Sequence, residues 1–136
     1  MEVGSPWPVA QVRFARPTDR LAEVVEFYSA GLGLPELFRF TGHDGYDGVI
    51  LGLPGAGYHL EFTSHADGSP GPAPTEENLL VLYFADEAGM RAMIARLGAA
   101  GHAPVELENP YWAANGAVGF ADPDGWRVVL APRPVF

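Results

Sequence analysis

The chain has 136 residues, of which 48% are hydrophobic, and its formal net charge at pH 7 is −9. This length is typical of one domain, and a domain of this size buries roughly two-thirds of the surface of its unfolded chain. The negative charge disfavours nucleic acid as a partner, because binding to phosphates depends on Lys and Arg. All eight basic residues are arginines and there is no cysteine, which excludes a lysine Schiff base, a disulfide and a thiolate nucleophile.

The sequence pattern predicts neither a membrane segment nor a secretion signal. No apolar run approaches the ~18 residues that a membrane span needs. The first residues lack the order of basic and then apolar residues that is typical of a signal peptide. We therefore expect a cytoplasmic protein without a membrane partner.

The first half of the chain predicts a strand, a helix and three further strands. Residues 9–16 alternate in polarity and are followed by Pro17, which is typical of a strand. Thr18 or Asp19 can cap the next helix, which carries apolar residues at three-to-four spacing and ends at Gly31. Turn residues then separate three predicted strands, at 34–41, 47–53 and 57–63.

The second half repeats this order after a linker. Residues 64–77 are rich in Pro and Gly and contain almost no core-forming residue, so they predict an irregular connection. Asp122-Pro123-Asp124-Gly125 predicts the turn before the last strand. The predicted elements are a strand at 79–85, a helix at 87–99 and strands near 103–107, 116–121 and 125–131.

An internal repeat also indicates two modules. A shift of 70 positions aligns three pairs of dipeptides: Phe14-Ala15 with Phe84-Ala85, Ala30-Gly31 with Ala100-Gly101, and Glu36-Leu37 with Glu106-Leu107. Six matches at one offset, in corresponding elements, suggest a duplication. We therefore predict one domain over residues 1–136, with module one at 9–63, the linker at 64–77 and module two at 78–132.

Several strings resemble the vicinal-oxygen-chelate superfamily, which includes glyoxalases, bleomycin-resistance proteins and ring-cleaving dioxygenases. Three resemble its first helix end, fourth strand and last turn: Phe27-Tyr28 before Gly31-Leu32-Gly33-Leu34, Tyr58-His59-Leu60-Glu61-Phe62, and Phe120-Ala121-Asp122-Pro123-Asp124-Gly125. Residues 42–48, 58–61 and 108–112 are similar to its YycE-like branch. The resemblance implies the α+β fold of glyoxalase, bleomycin-resistance protein and dihydroxybiphenyl dioxygenase, in which two βαβββ modules with curved mixed sheets enclose a cavity.

The resemblance also implies a metal site of which this chain retains little. Metal-dependent relatives carry one ligand on the first strand and one on the last strand of each module. In module one these positions fall at Gln11 and Glu61, whereas in module two they fall within 79–81 and 128–130, where every residue is Leu or Val. We therefore predict no metal or other cofactor. His59 shares a strand face with Glu61, so a metal site of Gln11, His59 and Glu61 is the alternative.

Four residues of module one are candidates for a ligand site. Gln11 and Arg13 share a face of the first strand, and Arg13 can pair with Glu61. This pair either lines the cavity and holds a polar ligand, or is a structural ion pair that replaces the metal. His59 and Glu61 are the candidates for catalysis, because a histidine titrates near neutrality. The alternative for His59 is a hydrogen-bonded polar residue of the sheet.

Tyr111 and Trp112 are the candidates in module two. They lie on a predicted loop beside the cavity, where aromatic rings with polar tips suit contact with a small molecule. The alternative is a loop that packs over a sheet edge.

Three functions are compatible with these residues. The lost ligands favour a metal-poor protein that binds a small, partly apolar molecule in the cavity between its sheets, with a role in sequestration or resistance. The second is a divalent-metal-dependent lyase, isomerase or dioxygenase-type enzyme that uses Gln11, His59 and Glu61. The third is a structural or partner-binding remnant without catalysis. Relatives of this size often pair, so we also expect a homodimer.

Overall fold

The computed structural model describes residues 8–53 and 56–135. Module one contains β1 (Val12–Pro17), α1 (Leu21–Glu26), which continues as a π-helical turn (Phe27–Gly31), β2 (Glu36–His43), β3 (Tyr46–Gly52) and β4 (Tyr58–His65). Module two contains β5 (Leu79–Tyr83), α2 (Glu87–Ala99), α3 (Pro110–Ala114), β6 (Val118–Ala121) and β7 (Arg127–Ala131). No helix in the described ranges is both long and apolar enough to span a bilayer.

Each module closes its sheet by pairing its first strand with its last. Sheet one has the order β1-β4-β3-β2, in which β1 lies parallel to β4 and the other pairs are antiparallel. Sheet two has the order β5-β7-β6, in which β5 lies parallel to β7. This is the α+β arrangement of two mixed sheets that the sequence predicts.

The strand predicted near 103–107 is wrong. Among the described residues this segment forms a single bridge, between Val105 and Gly119 of β6. Pro104 has no backbone N–H to donate to a sheet, and the chain turns into α3 at Pro110. The Leu107 side chain instead lies over Gly119, where a Cβ atom would come within 2.4 Å of it. Sheet two therefore has three strands where sheet one has four.

The predicted cap of the first helix is also wrong. Arg20 occupies the N-cap position of α1 without a side-chain hydrogen bond. The Thr18 hydroxyl accepts a hydrogen bond from the Arg20 backbone N at 2.9 Å, ahead of the helix. Asp19 accepts hydrogen bonds from the backbone N and the hydroxyl of Ser69 at 2.8 and 2.9 Å, so its carboxylate ties the linker to module one.

One apolar core lies between the helices and the helix-facing sides of both sheets. The Arg96 Nε of α2 donates to the Ala30 carbonyl at 3.1 Å, and the rings of Phe27 and His102 lie 4.7 Å apart, so the helical parts of the modules are in contact. Each large side chain in such a core contributes roughly 1.5–3 kcal/mol of burial free energy. The fully buried members include Val24, Phe27, Tyr28, Met90, Leu97, Phe120, Val128 and Leu130.

The two faces of sheet one differ sharply. Its inner face, which carries Phe14 and Arg16 on β1 and Leu60 and Phe62 on β4, is directed toward the core and module two. Its open face carries the alternate residues, because successive side chains of a strand point to opposite sides. Phe38, on the open face beside Ile50, is 59% exposed. The corresponding face of sheet two is covered by Leu107 and Trp112.

Candidate functional site

Three of the predicted site residues come together on the open face of sheet one. The parallel register places Arg13 opposite His59, and Ala15 opposite Glu61. Arg13 Nε donates to His59 Nε2 at 2.9 Å, and Arg13 Nη1 lies 3.5 Å from Glu61 Oε1. Because the Arg13 side chain is 46% exposed, water screens this ion pair, and such pairs contribute about 0–1 kcal/mol to stability.

These side chains do not fit a metal ion. The Arg13 guanidinium places a positive charge against His59 and Glu61, and it already uses the lone pair of His59 Nε2. Gln11 is exposed and shares a groove of about 230 Å³ with His59. Within residues 8–53 and 56–135, no group of three or more His, Cys, Asp or Glu side chains is arranged to hold a metal.

The corresponding positions of module two are apolar in the structure as well. Val81 of β5 and Val129 of β7 are paired and pack against Leu107 and Trp112. Leu80 points to the other side of the sheet and joins the main core. The sequence leaves this register open by one residue. In the structure, residues 79–81 and 128–130 place only Leu and Val side chains on the two faces, and these cannot ligate a metal.

Tyr111 and Trp112 lie in the short helix α3, so the prediction of a loop at these positions is wrong. Asn109 caps this helix by accepting a hydrogen bond from the Tyr111 backbone N at 2.9 Å. The Trp112 ring packs over sheet two, and Tyr111, which is half exposed, borders a separate cleft of about 210 Å³ with Tyr83 and Pro132. Neither aromatic residue lines the cavity between the modules.

A cavity of about 510 Å³ lies between the two modules, on the inner face of sheet one. Most of its wall is apolar or aromatic, including Phe14, Tyr58, Leu60, Phe62, Leu80 and Trp126. Among the described residues of this wall, the charged ones are Arg16 and Arg127. Arg13, His59 and Glu61 do not line this cavity, because β1 and β4 turn their alternate residues toward it.

A fully buried carboxylate lies beside this cavity. Asp122 Oδ2 accepts a hydrogen bond from the Tyr28 hydroxyl at 2.8 Å and forms an ion pair with Arg16 Nη2. Asp122 Oδ1 accepts hydrogen bonds from the backbone N atoms of Asp124 and Trp126 at 2.9 and 3.0 Å. Four donors thus satisfy the carboxylate, and the same residue closes the predicted turn before β7, where Gly125 has a φ of 88°.

Aromatic rings surround the guanidinium of Arg16. Its Cζ atom lies 4.7 Å from the ring centroid of Trp126 and 4.9 Å from that of Phe62, which is within the range of cation–π attraction. Burial raises the pKa of the Tyr28 hydroxyl well above its usual range, and the neighbouring Asp122 carboxylate raises it further. Tyr28 lies in the π-helical turn, a local distortion that is frequent at functional sites.

The sequence pattern does not identify Arg16, Tyr28 and Asp122 as site residues. One signal was present, because Arg16 follows Phe14 on the apolar side of the alternation in β1. A charged residue at such a position is rarely buried without a partner. Nothing local identified that partner, since Asp122 lies 106 residues away in the chain.

Both modules are similar to a known protein family. Residues 12–63 match the family model of the YycE-like N-terminal domain, and residues 77–132 match that of the YycE-like C-terminal domain. The Bacillus subtilis (strain 168) protein YycE is 48% identical over 126 residues, which cover 93% of this chain and 90% of that protein.

Solved structures share the fold. A crystal structure of a YycE protein of unknown function from Bacillus subtilis superposes with a TM-score of 0.86 at 45% identity, over 93% of this chain and 92% of that one. TnmS3, an antibiotic binding protein from Streptomyces sp. CB03234, superposes with a TM-score of 0.67 at 23% identity, over 95% of this chain and 100% of that one. The fosfomycin resistance protein FosX from Mesorhizobium loti superposes with a TM-score of 0.68 at 12% identity, over 99% of this chain and 95% of that one. At identities this low, the similarity to TnmS3 and FosX shows a shared fold and nothing more. The predicted glyoxalase and bleomycin-resistance fold is confirmed.

Proposed function

This chain belongs to the YycE-like family, and we propose that it is a metal-independent protein that binds a small, partly apolar molecule in the cavity between its modules. The observation that carries this proposal is the cavity of about 510 Å³, whose largely apolar wall includes two guanidinium groups. Cavities of this size, with an apolar lining and a few polar groups, are typical of small-molecule sites.

Phe14 supports a site that gains burial from its ligand. Although Phe14 lies on the inner face and lines the cavity, it is 58% exposed. A ligand that covers such a ring removes apolar surface from water, which contributes on the order of 1.5–3 kcal/mol when burial is complete.

The residues around the cavity favour binding over chemistry. No His, Ser, Thr, Asp or Glu is among its described lining residues, and the Tyr28 hydroxyl is buried against Asp122, which already accepts from four donors. The metal-dependent alternative would use Gln11, His59 and Glu61. Arg13 already donates to the lone pair of His59 Nε2 and pairs with the Glu61 carboxylate, both of which a metal would need. Binding without turnover suits a role in sequestration, and TnmS3 is described as an antibiotic binding protein.

A neutral fluorescent probe tests this proposal. We expect N-phenyl-1-naphthylamine to bind the purified protein at one site per chain, with equal affinity in the presence and absence of EDTA. Phe14→Ala should weaken binding about tenfold, which corresponds to about 1.4 kcal/mol of lost ring contact. Tyr111→Ala is the matched control, because Tyr111 is 51% exposed and lies outside the cavity wall.

Two outcomes would contradict the proposal. One is the absence of saturable binding to the wild-type protein. The other is an equal loss of affinity in Phe14→Ala and Tyr111→Ala, because this would locate the probe elsewhere on the surface.

A further inference from the structure

We propose that the ligand of the cavity between the modules is an apolar organic acid, whose carboxylate is bound by Arg16 and Arg127. This assignment rests on the proposed function, because it names the class of molecule that the cavity takes. It concerns the inner face of sheet one, whereas Arg13 and Glu61 lie on the open face.

The residues that line the cavity include basic side chains, whereas the carboxylates that pair with them, Asp122 and Glu76, lie outside the lining. The sequence contains 17 acidic and eight basic residues. The described lining residues nevertheless include two arginines and no Asp, Glu or His. Because the rest of the wall is largely apolar, attraction between these arginines and an anion is screened less than it would be at the surface.

Both arginines retain donors that lack an acceptor. Arg16 directs Nη2 to Asp122, but its Nε is buried without an acceptor among the described residues. Arg127 donates from Nη1 to the Gly125 carbonyl at 2.8 Å, and its Nη2 lies 3.3 Å from Glu76. Its Nε is also buried and lacks an acceptor within the described part of the chain. A buried donor without an acceptor is unfavourable, so a bound acceptor would stabilise this wall.

The protein groups nearest to these two Nε atoms do not accept from them in the described part of the chain. Asp122 already accepts from four donors. The Tyr28 hydroxyl donates to Asp122 and makes no hydrogen bond with Arg16 Nε. The side chain of Glu76 is 58% exposed and does not line the cavity. A carboxylate bound in the cavity would supply the missing acceptor.

The remaining wall determines what is attached to the acceptor. Of the lining residues that the structure describes, five are aromatic: Phe14, Tyr28, Tyr58, Phe62 and Trp126. They suit a flat apolar body, since offset and edge contacts between rings add to the burial of apolar area. A planar guanidinium matches a carboxylate through paired hydrogen bonds. A small hydrated anion such as inorganic phosphate would leave the apolar wall uncovered.

The test compares an acid with its neutral amide. Isothermal titration of the full chain with 4-phenylbutyrate and with 4-phenylbutyramide should show a preference for the acid on the order of 10–100-fold, the range expected for hydrogen bonds to a charged group. Inorganic phosphate at tenfold excess should not displace the acid.

Arginine variants test which side chains produce the preference for the acid over the amide. Arg127→Met should reduce it to about threefold or less, while Arg91→Met, which removes the same charge from the outer surface of α2, should leave it unchanged. Arg16→Lys keeps a positive charge beside Asp122 but loses the planar fork, and it should weaken the acid more than the amide. Circular dichroism of each variant verifies that it is folded.

Four results would overturn the inference. They are equal affinity for acid and amide, no binding of the acid at millimolar concentration, displacement of the acid by phosphate, and an equal loss of preference in Arg91→Met and Arg127→Met. If N-phenyl-1-naphthylamine still binds in a manner that depends on Phe14, the proposed function survives any of these results and only the acid assignment fails.

Discussion

Arg13 and Arg16 lie three residues apart on β1 and differ in almost everything except residue type. The side chain of Arg13 is 46% exposed and pairs with Glu61, whereas that of Arg16 is 17% exposed and pairs with the fully buried Asp122. Arg13 lies on the face that water reaches, and Arg16 lies among aromatic rings. The surroundings of an arginine therefore decide whether its ion pair is a surface feature or part of the fold.

The largest expected effect follows from breaking the buried pair. Asp122→Asn keeps the size of the side chain but leaves the Arg16 charge without its counter-ion. We expect a loss of about 3–5 kcal/mol in the free energy of unfolding, measured by urea denaturation. The control Glu61→Gln, in the exposed pair, should cost no more than about 1 kcal/mol. Equal losses in the two variants would contradict this account of the two pairs.

The open face of sheet one leads to the second prediction, a homodimer in which a second copy covers this face. Leu37 and Phe38 on this face are 58% and 59% exposed. Contiguous exposed apolar side chains are typical of an interface. Sedimentation should show a dimer at micromolar concentration. Phe38→Asp should raise the dissociation constant by at least about tenfold, because burying an unpaired charge costs more than the roughly 1.4 kcal/mol that corresponds to a tenfold change. Tyr111→Asp, at a similarly exposed ring, is the control, and a wild-type monomer would exclude this arrangement.

The third prediction concerns stability in alkali. The raised pKa of Tyr28 means that the folded protein retains a proton which the unfolded chain releases above its ordinary pKa of 10.0. The corresponding stability is complete below pH 10 and is lost as the pH rises further, by roughly 1.4 kcal/mol per pH unit. Tyr28→Phe removes this loss, so its unfolding free energy should fall less steeply between pH 10 and 11.5. Parallel curves for the two proteins would show that Tyr28 ionises in the folded state.

The smallest expected effect is that of metal removal on the open face. If Arg13 supplies the positive charge beside His59 and Glu61, dialysis against EDTA should leave the melting temperature unchanged within error. Elemental analysis of the protein before dialysis should find well under one equivalent of zinc or manganese. One equivalent of metal, lost together with stability on EDTA treatment or in Glu61→Gln, would show that a metal site persists.

Much of the fold could be predicted because its signals are local. Alternation of polarity indicates the strands, helical spacing indicates α1 and α2, and a repeated offset indicates two modules. The segment near 103–107 failed because its pattern suits a strand, while Pro104 and the cap at Asn109 prevent one from extending. The sequence alone could not weigh a short apolar pattern against these interruptions.

The site was harder to predict because it depends on how the modules pack. Strand alternation correctly placed Arg13, His59 and Glu61 on a common face. Which face of sheet one meets module two depends on how the modules pack, and no local pattern encodes it. The cavity is consequently lined by Arg16 and its neighbours on the inner face.

The closure of each module by its own ends has a consequence for the speed of folding. Val12 of β1 pairs with Tyr58 of β4, and Leu79 of β5 pairs with Arg127 of β7, so each parallel pair joins residues almost fifty positions apart. Such contacts form only after a long loop has lost its conformational freedom. The antiparallel pair β2–β3 joins neighbouring strands and can form early. We therefore expect folding in milliseconds to seconds, with docking of β1 and β5 as the slow events that complete the two sheets.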